Sequence, residues 1–236
     1  MTMILMRSPK GGVGTTFLTA RLAIALAARG YEVSAIDATT QDSLKLFFEL
    51  SPSQSLEMFD AALTPDAISG VQLFRADPEL ATHLLADQLA AWRSAGRICI
   101  VDIGTAQAAR RSELLPHADL EICAFVPSPI ALAALTQVDP DEPVLALKRT
   151  MFVLNLLDDR RRLSNDIHKL VCTIMGDQLL GTVRRDEAVN EALAAMKPLA
   201  VFAPASAALH DIDKLTDALI AHLDLPTPQA LREAAA

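Results

Sequence analysis

Aromatic side chains are scarce: eight Phe, one Trp and one Tyr make up 4% of 236 residues, against 51% hydrophobic residues in all. The core must therefore be aliphatic and alanine-rich. Cysteine is sparse too. Cys99, Cys123 and Cys172 are odd in number and lack CxxC spacing, which excludes a disulfide-stapled scaffold and reads as small buried residues in a reducing cytoplasm. An excess of positive charge is missing, since 21 Lys and Arg face 29 Asp and Glu for a net charge of -8. That balance argues against nucleic-acid partners and anionic lipid. No apolar run reaches the roughly 18 residues that a membrane span requires. The short run in MTMILMRSPKGG meets Pro9 and two glycines too early for a signal peptide, so a cytoplasmic chain with no direct membrane insertion is expected. Disordered linkers and fixed-period repeats are absent as well.

What is present is an alternation of strand-like apolar runs with longer helical patterns, the signature of a parallel sheet covered on both faces. Strands are expected at Met3–Ser8, Glu32–Asp37, Gln72–Arg75, Arg97–Asp102, Leu120–Phe125, Met151–Asn155 and Leu179–Val183, giving a mostly parallel twisted sheet of about seven strands. One domain is expected over residues 1–225, with a short tail over 226–236. Leu18, Leu22 and Leu26 place a first helix over Thr16–Arg29, which Gly30 ends in the left-handed conformation. Gln137–Pro143 reads as a surface loop. A last helix over Ala205–Leu223 carries Leu209, Ile212, Leu215, Leu219, Ile220 and Leu223 on one core stripe.

Chemistry concentrates between the first strand and first helix, in Ser8-Pro9-Lys10-Gly11-Gly12-Val13-Gly14-Thr15-Thr16. A glycine-rich turn there can aim successive backbone N–H groups at a phosphate and deliver it to the positive end of the helix. The plain alternative is an ordinary strand-to-helix turn. Against the P-loop pattern G-x-x-x-x-G-K-[ST], the chain keeps Gly14 and Thr16 but has Pro9 for the first glycine and Thr15 for the lysine. Loss of one charge-assisted hydrogen bond costs about 1.5–3 kcal/mol, or roughly one to two decades of phosphate affinity. It should cost hydrolysis more, because the charge that develops during phosphoryl transfer then lacks its cation. Ile98-Cys99-Ile100-Val101-Asp102 ends an apolar strand on an acid that can hold Mg²⁺.

Lys10-Gly11-Gly12-Val13-Gly14-Thr15-Thr16 resembles the deviant P-loop KGGVGK[ST] of the ParA/MinD ATPases. The resemblance implies a P-loop NTPase fold binding ATP and Mg²⁺, with Lys10 reaching across a dimer interface to the partner's nucleotide. It implies Mg²⁺ contacts from Thr16, Asp37 and Asp102, phosphate contacts from Lys10, Gly11, Gly12, Val13, Gly14, Thr15 and Thr16, and an adenine-reading role for Asn155. Asp37-Ala38-Thr39-Thr40-Gln41 stands where the family has DxD, so Thr39 replaces the acid that helps place the attacking water. Asn155 otherwise reads as a turn residue. Val201-Phe202-Ala203-Pro204-Ala205-Ser206 resembles the loop lining the base pocket, or else Pro204 and Ser206 simply start the last helix.

The stretch from Asn155 through Asp158-Asp159-Arg160-Arg161-Arg162 to Ile167, the segment Arg185–Ala194 and the GGVGTT loop together resemble the BcsQ/YhjQ branch, associated with bacterial cellulose synthesis and secretion. That resemblance implies a homodimer, or a hetero-complex with other cellulose-secretion proteins, recruited to the inner membrane or cell pole through partners, with slow or no hydrolysis. A cycling ParA/MinD-type ATPase and a nucleotide-free scaffold are the competing readings. Arg184 and Arg185 read equally as phosphate or partner contacts and as solvated side chains, and Arg160–Arg162 as a salt-bridged helix entrance.

Overall fold

The computed structural model describes residues 2–60, 62, 64–77, 85, 87–89, 92, 97–105, 107–139 and 142–230. Its strands are β1 Thr2–Arg7, β2 Val33–Asp37, β3 Glu57–Met58, β4 Val71–Arg75, β5 Ile98–Asp102, β6 Leu120–Phe125, β7 Thr150–Leu157 and β8 Leu179–Arg184. They form one sheet in the order β3-β4-β2-β5-β1-β6-β7-β8, with every pairing parallel. This bears out the expected parallel sheet of about seven strands, with one more strand at its edge. The addition is β3, two exposed residues on the sheet edge whose pairing is purely main-chain and leaves no apolar pattern to read.

Helices α1 Thr15–Ala28, α2 Ala108–Leu114, α3 Pro129–Leu135, α4 Arg162–Met175, α5 Ala188–Ala194, α6 Leu199–Phe202 and α7 Ala207–His222 cover the sheet. Alternate residues of β1 serve opposite layers. Ile4 and Met6 join Leu18, Leu22, Ile212, Leu215 and Leu219 under α1 and α7, while Met3 and Leu5 join Trp92, Leu114 and Phe74 on the other face. A third cluster packs Phe125 and Phe152 against Ile167, Val171 and Met175 of α4. The strands are therefore buried on both sides, which explains their unbroken apolar runs. The last-helix stripe is core as expected, and Gly30 takes φ +92° after α1.

One cysteine reading fails. Cys99 and Cys123 are buried in β5 and β6, but Cys172 is exposed on α4. The core side of that helix is taken by Ser164, Ile167, Val171 and Met175. The Gln137–Pro143 segment is a loop across its described residues, with positions 140 and 141 outside them. Positions 231–236 of the tail also lie outside, while Pro228 packs beside Gly30.

One buried carboxylate of the core is closely matched by protein donors. Glu121 in β6 is fully buried and accepts from Arg111 Nε at 2.6 Å, Arg111 Nη2 at 3.0 Å and Thr150 Oγ1 at 2.6 Å. Arg7 Nη1 lies 3.7 Å from the same carboxylate, and Arg111 also reaches Asp139 at 2.9 Å. Removing one partner leaves an uncompensated buried charge, at a cost of about 3–5 kcal/mol. Arg111→Met should therefore lower unfolding free energy by about 3 kcal/mol in urea titration, Arg7 retaining part of the compensation. A loss below about 1 kcal/mol would show that Arg7 and Thr150 compensate Glu121 without Arg111.

Candidate functional site

The strand ends converge on one region. Asp102 ends β5 in register with Asp37 of β2 and with Met6 of β1, whose chain runs on into the glycine loop. In that loop Gly12 has φ +76° and Gly14 φ +81°, conformations that side-chain-bearing residues rarely take. A Cβ on Gly11 or Gly12 would meet nothing within 4 Å, so the loop faces open space. Gly14 is different, because a Cβ there would stand 2.6 Å from Asn155 Nδ2. Asn155, fully buried in β7, donates from that nitrogen to the Val13 carbonyl at 2.7 Å. It braces the loop from beneath, and its Oδ1 has no partner.

Asp102 is the most perturbed group of the site. It is fully buried, and neither carboxylate oxygen has a hydrogen-bonding partner. Burial pushes the carboxyl up to about 8; the Thr16 hydroxyl on the first turn of α1 opposes the rise and Asp37 adds to it. A buried carboxylate without donors is costly unless a cation meets it, and an oxygen-seeking divalent ion fits these two free oxygens beside a hydroxyl. Asp37 is occupied otherwise. Its Oδ1 accepts from Thr39 N at 2.9 Å and Thr39 Oγ1 at 2.6 Å, and its Oδ2 from Leu44 N at 2.9 Å. Thr39 is thus an internal turn partner of Asp37, with its hydroxyl proton already committed.

The remaining candidates separate. Lys10 is exposed, and Thr15 and Thr16 are half-buried at the start of α1. Pro204 lines a different cavity, of about 670 Å³ between α1 and α7, whose walls include Arg21, Leu209 and Asp213 but neither Asn155 nor the loop. Arg184 is half-buried and pairs with Asp211 through two contacts of 2.7 Å. Arg160 and Arg161 pair with Asp158, and Arg162 with Asp166, as a salt-bridged helix entrance should.

The model of the CobQ/CobB/MinD/ParA nucleotide-binding domain matches residues 4–199. The chain belongs to this family. Among solved structures it is similar to the MinC:MinD cell division complex of Aquifex aeolicus, at 18% identity, TM-score 0.77, and 94% and 96% coverage of the two chains. A ParA family ATPase from Chlorobium tepidum follows at 22% identity, TM-score 0.72, and 92% and 97% coverage. The septum site-determining protein MinD complexed with Mg-ADP from Pyrococcus horikoshii matches at 20% identity, TM-score 0.72, and 92% and 95% coverage. These likenesses establish the P-loop NTPase fold of this nucleotide-binding family. Comparison with curated protein sequences gives no match.

Two residues beside the site escape the motif reading. Gln107 accepts the Gly104 N–H at 2.7 Å, and Arg110 donates to the Ala38 carbonyl at 3.1 Å and the Asp77 carbonyl at 3.2 Å. The adjacent pair Arg110-Arg111, in a short helix after an acid-ended strand, is the one signal in the sequence that pointed there.

Because folding favours the neutral Asp102 carboxyl, its contribution to stability is complete below the ordinary value of 3.8 and is lost as pH rises through about 8. Between about pH 5 and pH 8 the wild-type urea midpoint should fall relative to that of Asp102→Asn, measured without nucleotide or divalent metal. Parallel midpoints across that range would mean that Asp102 is ionised in the folded protein.

Proposed function

We propose that this chain binds ATP with Mg²⁺ and uses the bound nucleotide chiefly to hold two subunits, or a subunit and another protein, together, with slow or no hydrolysis. The observation that carries this reading is the pairing of an open glycine loop at the N-terminus of α1 with the partnerless, buried carboxylate of Asp102. Backbone donors of Gly11 to Thr16 would hold phosphates, aided by the positive end of the helix. Thr16 and Asp102 would hold Mg²⁺, with Asp37 fixing the neighbouring turn. Bound Mg²⁺ supplies positive charge to the phosphates and keeps Asp102 ionised. Lys10, exposed on the loop, would reach a partner subunit.

Catalysis is where the chain falls short. Thr15 brings no charge to the phosphates, and Thr39 is neither acidic nor free, its hydroxyl being bound to Asp37. Electrostatic stabilisation is the largest resource in phosphoryl transfer, so both losses weigh on turnover more than on binding. On the resemblance of the GGVGTT loop and the segments around Asn155 and Arg185 to the BcsQ branch, we assign the partner complex to the cellulose synthesis and secretion machinery. Among the described residues no helix is long and apolar enough to cross a membrane, so recruitment to one would run through partners.

Equilibrium dialysis with labelled ATP and Mg²⁺ tests the first claim: binding is expected, and none at millimolar ATP would leave a scaffold. Thr15→Lys should tighten ATP binding by roughly ten- to a hundredfold, with little phosphate release until Thr39→Asp is added. Brisk turnover by the single variant would overturn the role given to Thr39. Lys10→Ala should weaken ATP-dependent association in sedimentation more than ATP binding in dialysis, and equal losses would remove its cross-subunit role. Deleting the gene should abolish cellulose secretion, with rescue by the wild type but not by Lys10→Ala; unchanged secretion would sink the cellulose assignment.

A further inference from the structure

Helices α1 and α7 are tied together at the C-terminal end of α1, where Arg29 donates to Asp217 at 2.7 Å and to the Asp213 carbonyl at 3.0 Å. Beside this tie lies the cavity of about 670 Å³, apolar along Ile24, Ala28, Leu209 and Ile212. Arg21 breaks that apolar wall. It is only 8% exposed, its Nε has no hydrogen-bonding partner, and it forms no ion pair with any described residue. Burial lowers its pKa, and Glu49 and Asp213 oppose the shift without reaching ion-pair contact. The remaining polar groups of the wall are engaged or stand at the rim. Ser206 donates to Asp186 at 2.6 Å, Asp213 lies 3.5 Å from Arg29, and His210 is exposed.

A buried guanidinium without an acceptor is costly unless an anion meets it. The cavity is the side from which one can come. Toward Glu49, Arg21 borders a crevice of only about 20 Å³, room for one water at most. We propose that the cavity between α1 and α7 is a binding site for a small organic carboxylate with an apolar body, anchored by Arg21. The planar guanidinium matches a carboxylate through two parallel hydrogen bonds, while the aliphatic wall covers the rest of the molecule. A single buried cation with an acid at the rim suits one negative charge and disfavours a phosphate. Neither the glycine loop, Asp102 nor Asn155 lines this cavity, so the site stands independently of the nucleotide reading.

Titration calorimetry of the full chain with octanoate tests it, with octylamine and inorganic phosphate as controls. The wild type should bind octanoate at least about tenfold more tightly than either control. Arg21→Met should weaken octanoate about 10- to 100-fold, while its urea midpoint without ligand stays level or rises because an unpaired buried charge is gone. Ala28→Trp leaves Arg21 in place and fills the cavity from an exposed position of α1, so it should weaken octanoate by at least about tenfold. This variant decides the matter if Arg21→Met fails to fold. No octanoate binding by the wild type up to about 10 mM, or equal binding of octanoate and octylamine, overturns the site. A lowered urea midpoint for Arg21→Met with octanoate affinity unchanged makes Arg21 a structural residue and overturns it as well.

Discussion

The hydrogen bond from the Asn155 amide to the Val13 carbonyl sets the shape of the loop at the head of α1. A glycine-rich segment is the part of a chain least able to hold one conformation, because each glycine gives up more backbone freedom on ordering than any other residue. Here the ordering comes from below. Asn155 is held in β7, between β6 and the edge strand β8, and it fills the space that a side chain at Gly14 would need. The anchoring of Val13 and the need for glycine at position 14 both follow from that contact. The sheet, more than the loop's own composition, makes the region a stable cradle.

Charge at the site is arranged in an unusual balance. Two buried carboxylates end adjacent strands, but only Asp37 is satisfied by protein donors, while Asp102 is left facing the loop without one. The lone basic side chain of the loop, Lys10, points to solvent. Positive charge must therefore arrive with the ligand or the partner. Such a site rewards a metal-bound polyanion and does little for the same polyanion as its charge redistributes. Under the proposed function, binding and turnover would be uncoupled in one set of residues.

Most of this architecture could be read before any coordinates. Strands buried on both faces announce themselves as apolar runs, and β6 was legible to the residue because Leu120–Phe125 is apolar except for Glu121. That one acid was invisible as a feature, since its partners Arg7, Arg111 and Thr150 are scattered in sequence and meet only through strand order. The same reason hid the true position of Asn155, whose contact spans 142 residues, and the Arg184 pair with Asp211. The edge strand β3 had no side-chain pattern at all. Motif reading located the loop and the acids because their chemistry is local. It could not read the contacts of their neighbours, which depend on which strand lies beside which.

The three thiols end in very different surroundings. Burial pushes Cys99 and Cys123 up to about 12, so neither forms a thiolate near neutral pH, whereas Cys172 sits on the outer side of α4. The native chain thus carries one addressable sulfur, on the sheet layer opposite α1. A maleimide dye or spin label would settle there without any cysteine having to be removed, giving a reporter on the back of the molecule while its front is left untouched.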